Sequence, residues 1–550
     1  MKLVECVPNF SEGRDQAKID QIGSAIQSVE NVTLLDVDPG KDANRTVMTF
    51  IGSPEAMLEA SFQAISAAAE VIDMSKQKGE HARLGATDVC PFIPVSEVTM
   101  DDCVQLAQKL GKRVASELNI PVYLYESAAT VPDRQNLANI RSGEYEGLKD
   151  KIKDPNWKPD YGEAKFNAKS GATVIGARPF LIAYNLNLDT KDVRIAKEIA
   201  GLIRESGRIV RDPDGNKKRE PGLLKSCKAV GWTMEDFGCA QISMNLTDYN
   251  VTPPHVVYDT CSELAEERGT RVTGSELVGL IPLEAMRQAG IHYLKKQGMT
   301  TGVPESVLIQ TAVQSLGLDD LSPFDPNRKI IEYRIRTETP LAEMALSQFS
   351  DELSTKSPAP GGGSVAALCG ALGSALYSMV AALSYPKQKD DESREAMEAI
   401  GVKAQKLKEE FLLDADRDTE AFNGVMAAIR MNKNSDEEKT LRAEAMEVAL
   451  QEAVRVPLSV LERCVQAAEL ASKAVRKGNK SSMSDAAVGA LCARAAAEGA
   501  YLNVMINLKD IKDESFRKEN DKKAKTLKKK VNDLADCAMR EVDQILGLKK

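Results

Sequence analysis

Phe180-Leu181-Ile182-Ala183-Tyr184-Asn185-Leu186-Asn187-Leu188 decides the fold class of the first half of the chain. Its last residues alternate apolar and polar, the period of a half-buried strand and not of a helix. A helical pattern over 190–206 comes next, then strand-like stretches at 228–232 and 240–246, then a helix over 254–268. Asn185, Asn187, Ser243 and Asn245 can share one face of such a sheet, which suits either hydrogen bonding to an amide-rich or heterocyclic ligand or plain solvation. The rhythm extends upstream. Strands are predicted at 2–7, at 32–36 and 46–51 around the polar turn 38–45, and at 121–126. Helices are predicted up to about residue 29 and over about 101–118. Another opens at Ser53-Pro54-Glu55, with Ser as N-cap and Pro in the first helical position. Residues 150–170 read as irregular. A second α/β pattern is expected to start at Ala172 and to close at Asp325-Pro326-Asn327.

From 327 to 340 the sequence reads as a linker with one short strand at 330–335. After Leu341 the texture changes. Strand signals vanish, Trp and His are absent, and Ala-, Glu- and Lys-rich helical stretches run to Lys550. The fold class is therefore multidomain: α/β layers followed by an all-α helical bundle.

At 550 residues the chain is too long for one core. Its 43% hydrophobic and 28% charged residues are ordinary for a globular protein, and a net charge of -9 speaks against wholesale nucleic-acid binding. The ten cysteines are scattered without a CxxC pair, which argues against a zinc ribbon or disulfide framework and fits a reduced, cytoplasmic compartment. The first residues, MKLVECVPNFSEGRD, lack the apolar core of a signal peptide. Residues 364–383 have the length of a membrane span, but their Ala and Gly content fits a buried bundle helix and no membrane span is expected.

Two places carry chemistry. The first is Gly79-Glu80-His81-Ala82-Arg83-Leu84-Gly85, which holds one of only three histidines. An imidazole titrates near pH ~6.5 and can pass a proton at neutral pH. The same loop is compatible with a hydrogen-bonded structural histidine. The second place begins at Pro358-Ala359-Pro360-Gly361-Gly362-Gly363-Ser364, a glycine-rich entry to a helix. It offers free backbone N–H groups and the positive dipole end, without the Lys of a P-loop, or is a flexible entry to the domain. On the helix over 398–431, the 3.6-residue period puts Asp418 on the apolar stripe, Asp414 beside it, and Asp416 turned away. An inward carboxylate is either an acid/base with a raised pKa or one half of a buried ion pair. Ser484-Asp485 reads as an N-cap pair. Asn503 and Asn507, at i and i+4, share a helix face and either line a cleft or link helices. The Lys-rich run at 522–530 reads as a solvated helix face.

Several stretches resemble the bifunctional formimidoyltransferase-cyclodeaminase family. Cys6–Gly13 (CVPNFSEG), Asn44-Arg45-Thr46, Lys78-Gly79-Glu80-His81, Asp88–Pro94 (DVCPFIP), Gly176-Ala177-Arg178 and Val278-Gly279-Leu280 are similar to its transferase half. Ala359–Ala367 (APGGGSVAA), Asp416-Arg417-Asp418, Ser484-Asp485 and Asn503–Leu508 (NVMINL) are similar to its deaminase half. The resemblance implies two transferase subdomains (1–178 and 179–326, α+β sandwich-like), a linker (327–340) and a helical cyclodeaminase domain (341–550). It implies formimino transfer from N-formimino-L-glutamate to tetrahydrofolate, then cyclodeamination to 5,10-methenyltetrahydrofolate and ammonia, in histidine degradation. It puts the catalytic histidine at His81 and the deaminase aspartate at Asp418; the chemistry of the transfer then suits Asp38 to orienting the imidazole or holding the cationic amidine. It puts folate at Gly162, Lys165, Phe166, Lys169, Gly171, Ala172 and Arg178. Substrate contacts fall to Arg45, Arg83, Gly361, Gly362, Gly363, Ser364, Asp485, Asn503 and Asn507. Tetrahydrofolate, polyglutamylated, is the expected co-substrate, with no metal, and the expected assembly is a homo-oligomeric ring of dimers. Formylglutamate use, a methenyltetrahydrofolate cyclohydrolase activity and a non-catalytic scaffold are the alternatives.

Overall fold

The computed structural model describes residues 2–41, 43–79, 82–211, 216–234, 238–335 and 341–548. The chain forms two compact units, one of Met1–Met286 with Leu316–Arg336, the other of Arg287–Ser315 with Thr337–Lys550.

The first unit contains two sheets. Strands β1 (Leu3–Cys6), β2 (Asn9–Phe10), β3 (Val32–Gly40), β4 (Arg45–Gly52), β5 (Thr87–Ser96), β6 (Val122–Glu126) and β7 (Thr173–Ala177) make a seven-stranded mixed sheet. β1 and β2 fill one slot in succession, both antiparallel to β4 and β5, because Pro8 between them has no N–H to give a ladder. Helices α1 (Gln16–Gln27), α2 (Pro54–Val71) and α3 (Met100–Leu118) cover one face, packing Ile22, Ile65 and Leu110 against Val4, Cys6, Phe50 and Phe92. Ser53 caps α2 and Pro54 opens it, as read from the sequence. Short helices α4 (Leu137–Arg141) and α5 (Glu144–Lys151) come after β6. β7 lies parallel between β5 and β6. It thus belongs to the first sheet, and the second pattern starts later than Ala172, because a buried parallel strand leaves no alternation to read.

The second sheet holds β8 (Ile182–Leu188), β11 (Cys227–Met234), β12 (Cys239–Leu246) and β13 (Val272–Val278) in the antiparallel order β11-β12-β8-β13. β9 (Arg208–Arg211) and β10 (Lys217–Glu220) form a separate hairpin. Ile182, Tyr184, Leu186 and Leu188 are buried, on the face opposite Ala183, Asn185 and Asn187. Helix α6 (Val193–Ile203) packs on β11 and β12, and α7 (Pro254–Glu266) on β8 and β13. The register pairs Asn185 with Ser243 and Asn187 with Gln241, so the polar residues do share a face. There Trp232 Nε1 donates to Gln241 Oε1 at 2.7 Å, and Gln241 Nε2 donates to Asn187 Oδ1 at 2.8 Å.

Helices α8 (Leu283–Lys296) and α9 (Glu305–Ser315) come next, then α10 (Pro326–Lys329) and α11 (Ile331–Arg334). Of the strand expected at 330–335, Ile330 alone makes a parallel bridge, to Ile281, and Ile331–Arg334 is helical. Asp325 caps α10 by accepting from the Asn327 N–H, and the adjacent Ile330 and Ile331 are both buried, a burial pattern that alternation does not allow.

The second unit is all helical: α12 (Leu346–Leu353), α13 (Gly362–Ser384), α14 (Asp391–Arg430), α15 (Asp436–Lys477), α16 (Met483–Asn507) and α17 (Glu514–Leu546). Ala366 meets Gly499, and Phe411 lies over Gly370, so small residues bring α13 close to α16 and α14. Residues 300–302 also join this unit: Thr301 N–H donates to Glu398 at 3.1 Å, Thr300 and Thr301 hydroxyls bond the same carboxylate, and Ser378 Oγ donates to Gly302 O at 3.0 Å. The Lys-rich run pairs across to neighbouring helices through Lys528–Glu498 and Lys530–Glu469, at 2.8 and 2.9 Å. Among the described residues one helical stretch, Gly362–Lys387, is long and apolar enough to cross a membrane.

Candidate active sites

Alternation along the strands of the first unit sorts side chains to opposite faces. The faces not covered by helices together line a cavity of about 1010 Å³. The seven-stranded sheet gives Glu5, Asp36, Asp38 and Arg45, with Tyr125 and Arg178 from its far side and Arg141 from α4. The second sheet gives Asn245 and Glu276, the latter accepting from Asn185 Nδ2 at 3.1 Å. Asp325 lines it as well, and the segment read as a linker adds Arg328, Lys329 and Arg334. So many cations beside carboxylates suit a substrate that carries several negative charges and one positive one.

Burial and the neighbouring Arg141 guanidinium lower the pKa of Arg45, against the opposite pull of Asp88 and Asp38. Arg141 is ion-paired with Asp88. Arg178 donates to the Pro179 carbonyl at 3.0 Å. Glu5 is 1% exposed, and burial pushes its pKa up to about 8. For a carboxyl, a folded-state pKa above the ordinary value means that the neutral form is the one folding favours. Its contribution to stability is fully present below about pH 4.5 and is lost as pH rises through about 8. Glu5→Gln is therefore expected to stabilise the first unit by about 3 kcal/mol at pH 7 and by little at pH 4.5. Thermal melts of both proteins across that range check it.

His81 and Glu80 lie outside the described residues. The chain on both sides of them is tied down. Asn44 accepts from the Gly13 N–H at 3.0 Å and donates to the Lys78 carbonyl at 2.9 Å. Asp88 accepts from the Leu84 N–H at 2.9 Å. Arg83, expected as a substrate grip, is 7% exposed and engaged by Gln77, Glu144 and Glu146 at 2.7–2.9 Å. It closes the loop and does not line the cavity.

The stretch expected to bind folate lies mostly elsewhere. Phe166 packs on Tyr145, Lys169 Nζ donates to the Glu70 carbonyl at 2.9 Å, and Ala172 is buried with its N–H on the Leu84 carbonyl at 3.2 Å. Gly171, at φ 66°, would bring a Cβ within 2.2 Å of the Leu84 carbonyl. With Gly162 and Lys165 these residues are absent from the cavity wall; of the seven, Arg178 lines it. Of these, Gly171 and Ala172 lie against the backbone at Leu84.

The helical unit holds a second site. Asp418 on α14 meets the first turn of α13, where Ser364 Oγ donates to its Oδ2 at 3.1 Å and Thr419 Oγ1 lies 3.5 Å from the Ser364 hydroxyl. Burial raises the pKa of Asp418, against hydrogen bonds from the Ser364 side chain and backbone. Asn503 lies at the same turn: a Cβ on Gly362 would stand 3.6 Å from its Nδ2. Asp414 is the ion-paired neighbour, bonded to Arg463 at 2.8 Å and Arg417 at 3.1 Å. Burial raises the pKa of Asp414 as well, so the two arginines, not the shift, set the two aspartates apart. Asp416, expected to turn away, is 7% exposed because the chain at Leu341 covers it and donates its N–H to Oδ1 at 3.0 Å.

Three expected residues stand apart. Gly361 caps α13 from outside the helix. Asn507 Nδ2 donates to the Ala453 carbonyl at 2.7 Å and so links α16 to α15. Asp485 is in the first turn of α16, not at its cap, and at ~1.5 Å per residue lies roughly 27 Å along the helix from Asn503. Among the described residues no three His, Cys, Asp or Glu side chains group as metal ligands. Gly363 shows how tightly the site is built: an added Cβ would fall 2.0 Å from Asp418 Oδ1. The Asp carboxyl can swing aside, so Gly363→Ala is expected to fold. It is expected to displace Asp418 and lower the activity of this site at least about 100-fold, read as turnover beside an unchanged melting curve.

A helix-backed two-sheet cavity rich in cations, followed by a helical unit with its own isolated acid, defines a two-site enzyme. Family models match in the same order: the formiminotransferase domain, N-terminal subdomain, over residues 3–178, the formiminotransferase domain over 183–336, and formiminotransferase-cyclodeaminase over 345–526. Formimidoyltransferase-cyclodeaminase of Rattus norvegicus is 44% identical over 94% of this chain and 94% of its own length. Glutamate formimidoyltransferase of Streptococcus pyogenes is 42% identical over 54% of this chain and 94% of its own. Methenyltetrahydrofolate cyclohydrolase of Methylorubrum extorquens is 38% identical over 32% of this chain and 84% of its own. The chain belongs to the formimidoyltransferase-cyclodeaminase family and is a bifunctional transferase and cyclodeaminase.

Proposed function

We propose that the first cavity moves the formimino group of N-formimino-L-glutamate to N5 of tetrahydrofolate, and that the Asp418 site closes the ring. In the first step N5 attacks the amidine carbon, the bond from that carbon to the glutamate nitrogen breaks, and His81 carries the proton lost by N5 to that nitrogen. Arg45 and Arg178 meet substrate carboxylates, and the remaining cations of the cavity suit a polyglutamate tail. In the second step N10 attacks the same carbon. Asp418 takes the N10 proton and gives it to the departing nitrogen, releasing ammonia and leaving 5,10-methenyltetrahydrofolate. This second reaction is the lyase activity, and together the two belong to histidine degradation.

The observation that carries the reading is Asp418: an inward carboxylate with no ion pair among the described residues, held at a glycine-built helix N-terminus. Tetrahydrofolate is a co-substrate in this reading, and no metal is included. Ten free thiols agree with a cytoplasmic protein. Exposed Leu372, Met379 and Leu383 on α13, and Val488 and Leu491 on α16, suit burial against a second copy of this chain in a homo-oligomer.

The test is a coupled assay of purified protein with formiminoglutamate and tetrahydrofolate, following methenyltetrahydrofolate absorbance and ammonia together. Equal formation of both supports the reading; methenyl product without ammonia refutes it. The similarity to a methenyltetrahydrofolate cyclohydrolase favours a second reading, in which the helical unit hydrolyses the methenyl product. Decay of purified 5,10-methenyltetrahydrofolate at a rate proportional to enzyme concentration would establish that.

A further inference from the structure

Glu5 stands at the centre of β1, and its pairs across both neighbouring strands are Ile51 and Ile93. Both isoleucines are buried, at 2% and 1% exposure, and Glu5 itself is at 1%. Among the described residues its Oε2 has no hydrogen-bond partner. The Arg178 cation and the Glu332 carboxylate act on it electrostatically in opposite senses. A carboxyl in that position adds nothing to the sheet that an apolar residue would not supply better. Yet it borders the cavity, on the same wall as Arg45 and Asp38. Asp38 acts electrostatically on Arg45, so it already faces a cation.

We propose that Glu5 selects the donor: it holds the imino nitrogen of a formimino group as a carboxylate–amidinium pair, and so favours a formimino over a formyl donor. This rests on the reading of the cavity as the transfer site. An amidine is a cation at neutral pH and carries N–H donors on that nitrogen, whereas a formyl group presents a neutral oxygen with lone pairs only. Glu5 enters the pair by releasing its proton to solvent as the cation arrives. No bond to Glu5 forms or breaks. N5 joins the amidine carbon, the glutamate nitrogen leaves with a proton, and the imino nitrogen stays on the carbon and on Glu5 throughout. In an apolar setting a lost charge partner is strongly felt, and a neutral oxygen has none to lose.

Glu5→Gln keeps size and hydrogen bonding and removes the charge. The measurement is kcat/KM for formiminoglutamate with tetrahydrofolate, together with the inhibition constant of N-formylglutamate as a competitor, in wild type and variant. The expected result is a loss of about 100-fold for formimino transfer with an inhibition constant unchanged within about threefold. Equal losses for both ligands, or no loss for either, overturn the proposal. A wild type silent toward formiminoglutamate sinks the assignment of the cavity itself, whereas an active wild type with an unaffected variant sinks only the role of Glu5. A second measurement needs no variant. Calorimetry of wild type at pH 6 in two buffers of different ionisation heat should show about one proton released with formiminoglutamate and none with N-formylglutamate. Equal proton release for both overturns the proposal as well.

Discussion

Asp418→Asn is expected to lower ammonia release by about two to four orders of magnitude while formimino transfer continues at its wild-type rate. The substitution keeps the shape and the Ser364 contact and removes the ability to take a proton. With formiminoglutamate and tetrahydrofolate supplied, the variant should accumulate 5-formiminotetrahydrofolate and little methenyl product. The pH profile of wild type sharpens the test. Burial raises the pKa of Asp418 above that of an ordinary aspartate, so the form that accepts a proton is lost on acidification earlier than for an exposed carboxylate. The second reaction should therefore fall on its acid side at a higher pH than an exposed aspartate would give, and Asp418→Asn should lack that limb. An Asp418→Asn variant that still releases ammonia at the wild-type rate would move the proton transfer to another group, and Asp414 is a poor substitute because two arginines already hold it.

His81→Ala is expected to do the reverse. Transfer should fall by about two to four orders of magnitude, and ammonia release from supplied 5-formiminotetrahydrofolate should not change. The neighbours of His81 in sequence are held on both sides. Asn44 holds Lys78 ahead of it, and Arg83, Asp88 and the turn at Gly171 fix the segment after it. A transfer rate unaffected by His81→Ala would hand the proton to a cavity carboxyl, with Asp38 and Glu5 as the groups to replace next.

Local sequence makes some of this legible and hides the rest for physical reasons. Asp418 is readable because a helix repeats every 3.6 residues and the apolar stripe of α14 points where the carboxylate points. Asp416 is not, since the chain that covers it lies 75 residues away at Leu341. The polar face of the second sheet is visible in the alternation of β8, but whether it meets solvent or a cavity depends on the opposite sheet. Sequence order puts β7 in the wrong layer, because parallel pairing with β5 and β6 joins segments that no local period connects. Glu5 escapes notice although Val4-Glu5-Cys6 alternates plainly; an isolated acid on a strand ordinarily faces water, and only the depth of the cavity shows that this one does not. Arg83 looks like a substrate grip because charge near a candidate base invites that reading, and its partners Glu144 and Glu146 come from a helix that the sequence does not reveal.

The stretch Arg287–Ser315 packs with the helical unit although it is translated before most of it. Thr301 leaves the ribosome 97 residues ahead of Glu398, the carboxylate that holds it. At ordinary rates of synthesis that is a wait of about 5–20 s. Both sheets of the first unit, and α10 and α11 with them, are complete in sequence well before then. The sheets of the first unit are therefore synthesised while this stretch, which includes α9, still lacks its partners on α13 and α14. Anything that stalls synthesis between residues 336 and 398 would leave that stretch exposed to proteases and chaperones, while a release beyond Glu398 would not.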